Sequence, residues 1–141
     1  MIDRFEGQHR FLSNFFVLPK PIPHDGILYP TTEHAFQAAK TLDFRARFEI
    51  SKLHHPGLAK RAGRGVELRP DWDRCKGRIM YELVLIKFVL NPTLRGKLLD
   101  TYPDKLVEGN TWGDTYWGVC KGVGENKLGS ILEIVRQQLL R

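Results

Sequence analysis

The sequence predicts an α+β fold, mostly helical, with a small antiparallel sheet. Three observations predict it. Apolar residues recur at spacings of three and four over two long stretches, 72–90 and 128–139. Helix-start residues (Thr31, Asp43, Pro56, Asp71) stand before further helical segments. The strand-like pieces are few and short, and they do not alternate with helices as a βαβ chain requires.

The elements follow in chain order. Residues 1–30 are rich in aromatics and turn formers, with Gly7, Pro19, Pro21, Pro23 and Gly26 punctuating short extended pieces. Gly26–Tyr29 reads as a strand entered through the turn Asp25-Gly26 and ended by Pro30. Thr31 or Thr32 can cap a helix through Lys40, since a threonine oxygen satisfies a free amide of the first turn. Asp43 caps a second helix through Phe44, Phe48 and Ile50. Pro56 suits a first helical position, and Leu58–Arg64 forms a short helix closed by Gly63 and Gly65. The longest helix begins after the cap Asp71, with Trp72, Cys75, Ile79, Leu83, Ile86 and Leu90 on one face and Met80 and Val84 widening it. Asn91-Pro92 ends it and starts a helix through Leu94, Leu98 and Leu99. Lys105–Glu108 reads as a short strand. Residues 109–126, with five glycines and two tryptophans, read as loop. A final helix, capped by Asn126, puts Leu128, Ile131, Leu132, Val135 and Leu139 on one face.

Size and composition bound the function. At 141 residues the chain is expected to be a single domain, 1–141, able to bury a core without disulfides or a structural metal. A content of 42% hydrophobic and 27% charged residues excludes disorder as the main state. Cys75 and Cys120 are too few for a disulfide framework and are expected as thiols in a reducing cytoplasm. The charged start, Met1–Glu6, lacks the apolar stretch of a signal peptide. Lys87 interrupts the most apolar run, Leu83–Leu90, which is too short to span a bilayer. None of the five histidines pairs with cysteine or another histidine at ligand spacing, so neither a metal nor a cofactor is expected. The net charge of +6 suits an anionic partner such as a phosphate ester or a nucleic acid, and is equally compatible with a solvated surface.

Chemistry concentrates in a few places. On the helix after Thr31-Thr32, positions 33, 37 and 40 share a stripe, so a carboxylate, an amide and an amine (Glu33, Gln37, Lys40) face one way. A solvated helix face with a capping glutamate is the alternative. Asn110–Gly118 packs three large aromatics, two glycines and Asp114 into nine residues. Either it is a loop shaped around a ligand, with an aromatic to stack and a carboxylate to bind hydroxyls, or it plugs the core while Asp114 makes a turn. Phe11-Leu12-Ser13-Asn14-Phe15-Phe16 presents polar groups from an apolar wall, or turns there. Gly122–Gly129 leads into the last helix without the spacing of a P-loop or a dinucleotide fingerprint. Between Phe44 and Arg64, six cations face one acid, Glu49, and Arg61 and Arg64 flank a glycine that would let phosphate approach.

In this order, these pieces resemble the NADAR family. The resemblance rests on Phe11-Leu12-Ser13-Asn14-Phe15, on Tyr29 to Lys40 (YPTTEHAFQAAK), on Ala62-Gly63-Arg64, on Trp112-Gly113-Asp114 and on Gly124 to Gly129 (GENKLG). It runs nearly end to end. Thr32 stands where many family members have serine, which keeps the hydroxyl. The resemblance implies a mostly helical α+β fold and an N-glycosidase that cleaves ribosyl N-glycosidic bonds. The substrate would be a phosphorylated intermediate of riboflavin synthesis or ADP-ribose carried on guanine in nucleic acid. It places the catalytic roles on Glu33, Lys40 and Asp114. It carries substrate contact to Ser13, Asn14, Phe15, His34, Gln37, Arg61, Arg64 and Asn126, with Trp112 or Trp117 stacking on the base. Glu33 would stabilise charge on the sugar or activate water, or Lys40 would form a Schiff base with the opened sugar. No membrane and no obligate protein partner is expected. A module that binds ADP-ribose or a nucleotide without cleaving it is the rival reading. A small nucleic-acid-binding domain is a weaker one, since the cations do not alternate with aromatics in a recognised motif.

Overall fold

Helix signals in the sequence translate closely into helices. The computed structural model describes residues 1–140 and divides into two units, Asn14–Asn91 and, separately, Met1–Ser13 with the chain from Pro92 onward. Among the described residues there are six α-helices, one 3₁₀ helix and four short strands.

The unit Asn14–Asn91 starts with a hairpin. Strands β1 (Ile22–His24) and β2 (Ile27–Tyr29) pair antiparallel, with Ile22 opposite Tyr29. Asp25 and Gly26 turn the chain at φ 48° and 83°, the left-handed conformations that a tight hairpin turn needs. Ile22, Ile27 and Tyr29 are buried while Pro23 and Leu28 face out, the alternation of a one-sided sheet. Helix α1 (Thr32–Ala39) follows, and every one of its residues is buried. Thr31 caps it by accepting from the His34 amide at 3.0 Å. Helix α2 (Phe44–Ser51) is capped by Asp43, whose Oδ1 accepts from the Arg45 amide at 3.0 Å. The buried Arg47 donates to the Thr41 carbonyl at 2.7 Å and to Asp25 at 2.8 Å, tying α2 to the hairpin turn. Helix α3 (Pro56–Gly63) has proline at its start and the His55 ring accepting from the Gly57 amide at 2.9 Å. Helix α4 (Trp72–Leu90) is the long one, and Trp72 stacks at a tilt on Phe36 of α1 with 5.0 Å between ring centroids. Helices α2, α3 and α4 all pack on α1, which explains its complete burial.

Three expectations need correction here. Asp71 precedes α4 but does not cap it, because Arg69 holds its carboxylate at 2.7 Å. Phe44 and Phe48 of α2 are exposed, so Ile50 alone of the expected face reaches the core. The buried stripe of α4 drifts at its end: Lys87 and Phe88 are buried while Ile86 and Leu90 are half-buried.

In the other unit, Gly7–Leu12 is a 3₁₀ helix where short extended pieces were expected. Helix α5 (Pro92–Asp100) buries Leu94 and Leu98, and packs on α6 (Lys127–Leu139), which buries Leu128, Leu132 and Val135. The buried Arg136 donates to the Thr101 hydroxyl at 3.0 Å and the Asp104 carbonyl at 2.7 Å. Lys105–Glu108 is not a strand. Leu106 makes one parallel bridge with Ile2, and pairing resumes at β3 (Gly109–Asn110) against β4 (Val119–Cys120), also parallel. Asn126 precedes α6 at φ 53° without a side-chain cap, because its amide is used elsewhere. No helix among the described residues is long and apolar enough to cross a membrane.

Candidate active site

Helix α1 presents its functional stripe from inside the packed unit, not from a solvated face. Glu33 and Gln37 are 8% and 5% exposed, and the Gln37 amide donates to Glu33 Oε2 at 2.5 Å. The Glu33 backbone N–H donates to the Asn14 carbonyl at 3.0 Å, so Asn14 is seated against the first turn. Three buried acceptors here have no hydrogen-bond donor: Asn14 Oδ1, Thr32 Oγ1 and Gln37 Oε1. Buried oxygens without donors are uncommon because each forfeits its hydration.

Lys40 follows α1 directly and is half-buried. Burial pushes its amine below the ordinary lysine value; the Glu33 carboxylate opposes that, and Arg64 and Lys60 add to the depression. Glu33, Lys40, Lys60 and Arg64 therefore share one electrostatic neighbourhood, carried by the packing of α3 on α1. Gly63 sets that packing. A Cβ there would stand 1.9 Å from Gln37 Oε1. Arg61 and Arg64 are both exposed at the end of α3, available to an anion from solvent. Phe15 packs edge-on against His55, with centroids 6.4 Å apart, in the same unit.

His34 is enclosed within the unit Asn14–Asn91. Its ring is 1% exposed, with Nδ1 2.7 Å from the Thr31 hydroxyl and Nε2 2.8 Å from the Leu53 carbonyl. A carbonyl only accepts, so Nε2 carries the proton and Nδ1 accepts from Thr31. Burial holds the ring neutral by lowering its pKa, although the Leu53 carbonyl opposes this. The imidazole braces α1 against the segment before α3.

The remaining expected site residues belong to the other unit. Asp114 Oδ1 accepts from the amides of Tyr116 and Trp117 at 3.0 and 2.9 Å, the turn reading of that segment. Asn110 supports it, donating to the Asp114 carbonyl at 2.9 Å and accepting from its amide at 3.0 Å. Trp117 is half-buried and meets Tyr116 edge-on at 4.8 Å; Trp112 is 60% exposed. Ser13 is half-buried and closes the 3₁₀ helix through its amide, 2.9 Å from the Arg10 carbonyl. The buried Asn126 accepts from the Glu108 amide at 2.9 Å and donates to the Leu106 carbonyl at 3.0 Å, lashing the start of α6 to 106–108.

Two neighbours of this cluster are hidden from the sequence. Lys60 stood out only as one cation of a basic run, and nothing local tied it to Lys40. Gly63 reads from sequence as a helix stop, as the glycine that lets phosphate approach Arg61 and Arg64 and as part of the Ala62-Gly63-Arg64 motif; the structure adds that it leaves room for the Gln37 amide. Among the described residues, no group of three or more His, Cys, Asp or Glu stands together to hold a metal ion.

A family model described as the NADAR domain matches residues 3–140. The chain is 43% identical over 122 residues to N-glycosidase YbiA of Escherichia coli (strain K12), covering 84% of this chain and 76% of that protein. A protein of Nostoc punctiforme also named an N-glycosidase is 36% identical over 133 residues, which is 90% of this chain and 83% of its own length. A riboflavin biosynthesis protein of Vibrio vulnificus is 34% identical over 137 residues, 95% of this chain but only 36% of that longer protein. The solution NMR structure of the E. coli protein YbiA superposes with a TM-score of 0.84 at 39% identity, covering 99% of this chain and 87% of that one.

Proposed function

The chain belongs to the NADAR family, and from that membership we propose that it is an N-glycosidase hydrolysing a ribosyl N-glycosidic bond in a phosphorylated substrate. The observation that carries this reading is the Glu33 carboxylate, buried, held by Gln37 and electrostatically coupled to the half-buried amine of Lys40. Cleavage of a ribosyl C–N bond leaves positive charge on the sugar, and a desolvated carboxylate stabilises that charge more than one in water would. Water then adds its hydroxyl to the anomeric carbon, and its proton leaves with the base. Arg64, Lys60 and Arg61 meet the substrate's phosphate.

A second route has its own support. The depressed pKa of Lys40 makes the neutral amine more accessible, and that amine adds to C1, the aldehyde-level carbon of the ring-opened ribose still bound to the base. The base leaves with a proton to give a lysine Schiff base, and water then hydrolyses the Schiff base to free the sugar and the amine. Asp114, Ser13 and Asn126 enter this proposal as scaffold of their own unit, and His34 as the brace of α1. The free thiols Cys75 and Cys120 suit work in a reducing cytoplasm. The family model's span, 3–140, supports treating the chain as one family domain.

The substrate is either a ribosylaminopyrimidine phosphate or ADP-ribosylated guanine in nucleic acid, and the name of the Vibrio relative, a riboflavin biosynthesis protein, supports the first. Incubation with both, in parallel, decides it by which base is released. Glu33→Gln preserves the hydrogen-bond geometry and is expected to lower turnover at least about a hundredfold with an unchanged melting curve. Full activity in that variant sinks the mechanism. If neither substrate is cleaved by excess wild-type protein, yet ADP-ribose binds, the chain is a binding module.

A further inference from the structure

The unit formed by Met1–Ser13 and the chain from Pro92 contains an open groove of about 510 Å³, built wholly from its own residues. Its frame is backbone. Ile2 donates to the Lys105 carbonyl and accepts from the Val107 amide, both at 2.8 Å, and Gly109 and Val119 pair across β3 and β4. The groove is therefore preformed. Gly109 is required in it, since a Cβ there would stand 2.1 Å from the Asp3 carbonyl oxygen.

The lining combines three chemistries. Val107 and Val119 contribute apolar surface, and the exposed ring of Trp112 offers a flat face. Arg4, Lys105 and Lys121 supply cations. Asp3 and Glu6 supply carboxylates, which accept from hydroxyls and repel a bare anion. An aromatic shelf, cations and hydroxyl acceptors together match a ribonucleotide: the base stacks, the phosphate meets the cations and the ribose hydroxyls donate to the carboxylates. A run of phosphates alone would meet three cations against two acids, a poor balance for backbone-only binding.

We infer that this groove is a second nucleotide site, taking a ribonucleoside phosphate, either free or as one residue of an RNA strand. All of its lining residues lie in the unit of Met1–Ser13 and the chain from Pro92, and Trp112 serves this groove while Trp117 is left as the stacking ring of the N-glycosidase reading. The sequence carried no sign of it. Its cations lie at positions 4, 105 and 121, and only folding gathers them around Trp112.

The test is a titration of the 15N-labelled full chain with AMP, followed by amide and indole resonances. The indole N–H of Trp112 and the amides of Gly109, Asn110 and Val119 are expected to shift saturably. Trp112→Ala should weaken the shift of those amides about tenfold, the usual size of one base–aromatic stack. Inorganic phosphate at equal concentration should not reproduce the shifts, and 2′-deoxy-AMP should bind several-fold more weakly. A silent groove, an unchanged affinity in Trp112→Ala, or the same shifts from phosphate alone overturns the site. Equal affinity for 2′-deoxy-AMP overturns the ribose assignment. A short oligoadenylate binding tighter than AMP at the same amides assigns the source to RNA, and equal affinity assigns it to the free nucleotide. Shifts near Glu33 that persist in Trp112→Ala report the other unit alone, so the two readings fail separately.

Discussion

Lys40 sits where burial, a carboxylate and two cations pull its proton in opposite directions. If turnover needs the neutral amine, the rate rises with pH through the Lys40 titration, which lies below the usual lysine range. Arg64→Ala removes one of the cations that favour deprotonation, so the Lys40 pKa rises and the rising limb of the pH–rate profile moves to higher pH. A limb that stays in place, with only the Michaelis constant affected, would limit Arg64 to phosphate contact. Borohydride should trap a sugar adduct in the wild type and not in Lys40→Arg. Asp114 makes a sharper residue-level contrast. Asparagine retains the acceptor oxygen of its turn, so Asp114→Asn should keep both stability and turnover within about twofold, while Asp114→Ala leaves two amides without their acceptor and costs about 1 kcal/mol in urea unfolding. Loss of turnover in a fully folded Asp114→Asn would return that carboxylate to the chemistry.

At the scale of elements, α1 and α3 meet through Gly63 and Gln37. Gly63→Ala forces a methyl group into the Gln37 amide, and is expected to destabilise by about 1–3 kcal/mol and to lower activity beyond what unfolding explains, since Gln37 orients Glu33. Calorimetry with turnover measured well below the melting temperature separates the two effects. The helices were legible in the sequence because their signals are local: Thr31 and Asp43 accept from first-turn amides, Pro56 starts α3, and the apolar spacing of α4 runs within one segment. The stripe of Glu33, Gln37 and Lys40 was legible for the same reason. What escaped was decided by partners far along the chain. Asp71 lost its capping role to Arg69, Asn126 spends its amide on Leu106 and Glu108, and the burial of Lys87 opposes its own polarity. No window of sequence around Lys60 or Gly63 contains α1, so their parts in the site needed the fold.

Across the whole molecule, Lys87 is a titration coupled to folding. It is 1% exposed, and burial brings its pKa down to about 7. In the unfolded chain the amine stays protonated to near 10.4. Between those values the unfolded state binds more protons than the native one, so this residue makes stability rise with pH from about 7 upward; below about 7 folding must bury the ammonium in full. Lys87→Met should remove that slope and raise stability at pH 6 by about 1–3 kcal/mol. Urea unfolding at pH 6 and pH 9 measures both, and a slope that survives the substitution refutes the coupling. Half of the net charge of +6 corresponds to one place, the end of α3, where Lys60, Arg61 and Arg64 stand without an acid between them in sequence.

The complete burial of α1 has one more consequence. A short helix enclosed on every side opens only when its surroundings do, so its amides should exchange with deuterium at the rate of global unfolding of that unit and no faster. The carboxylate of Glu33 then sits on the most slowly exchanging segment, not on a mobile loop. On heating, activity should persist until the cooperative melting transition and vanish with it, with no earlier phase of inactivation.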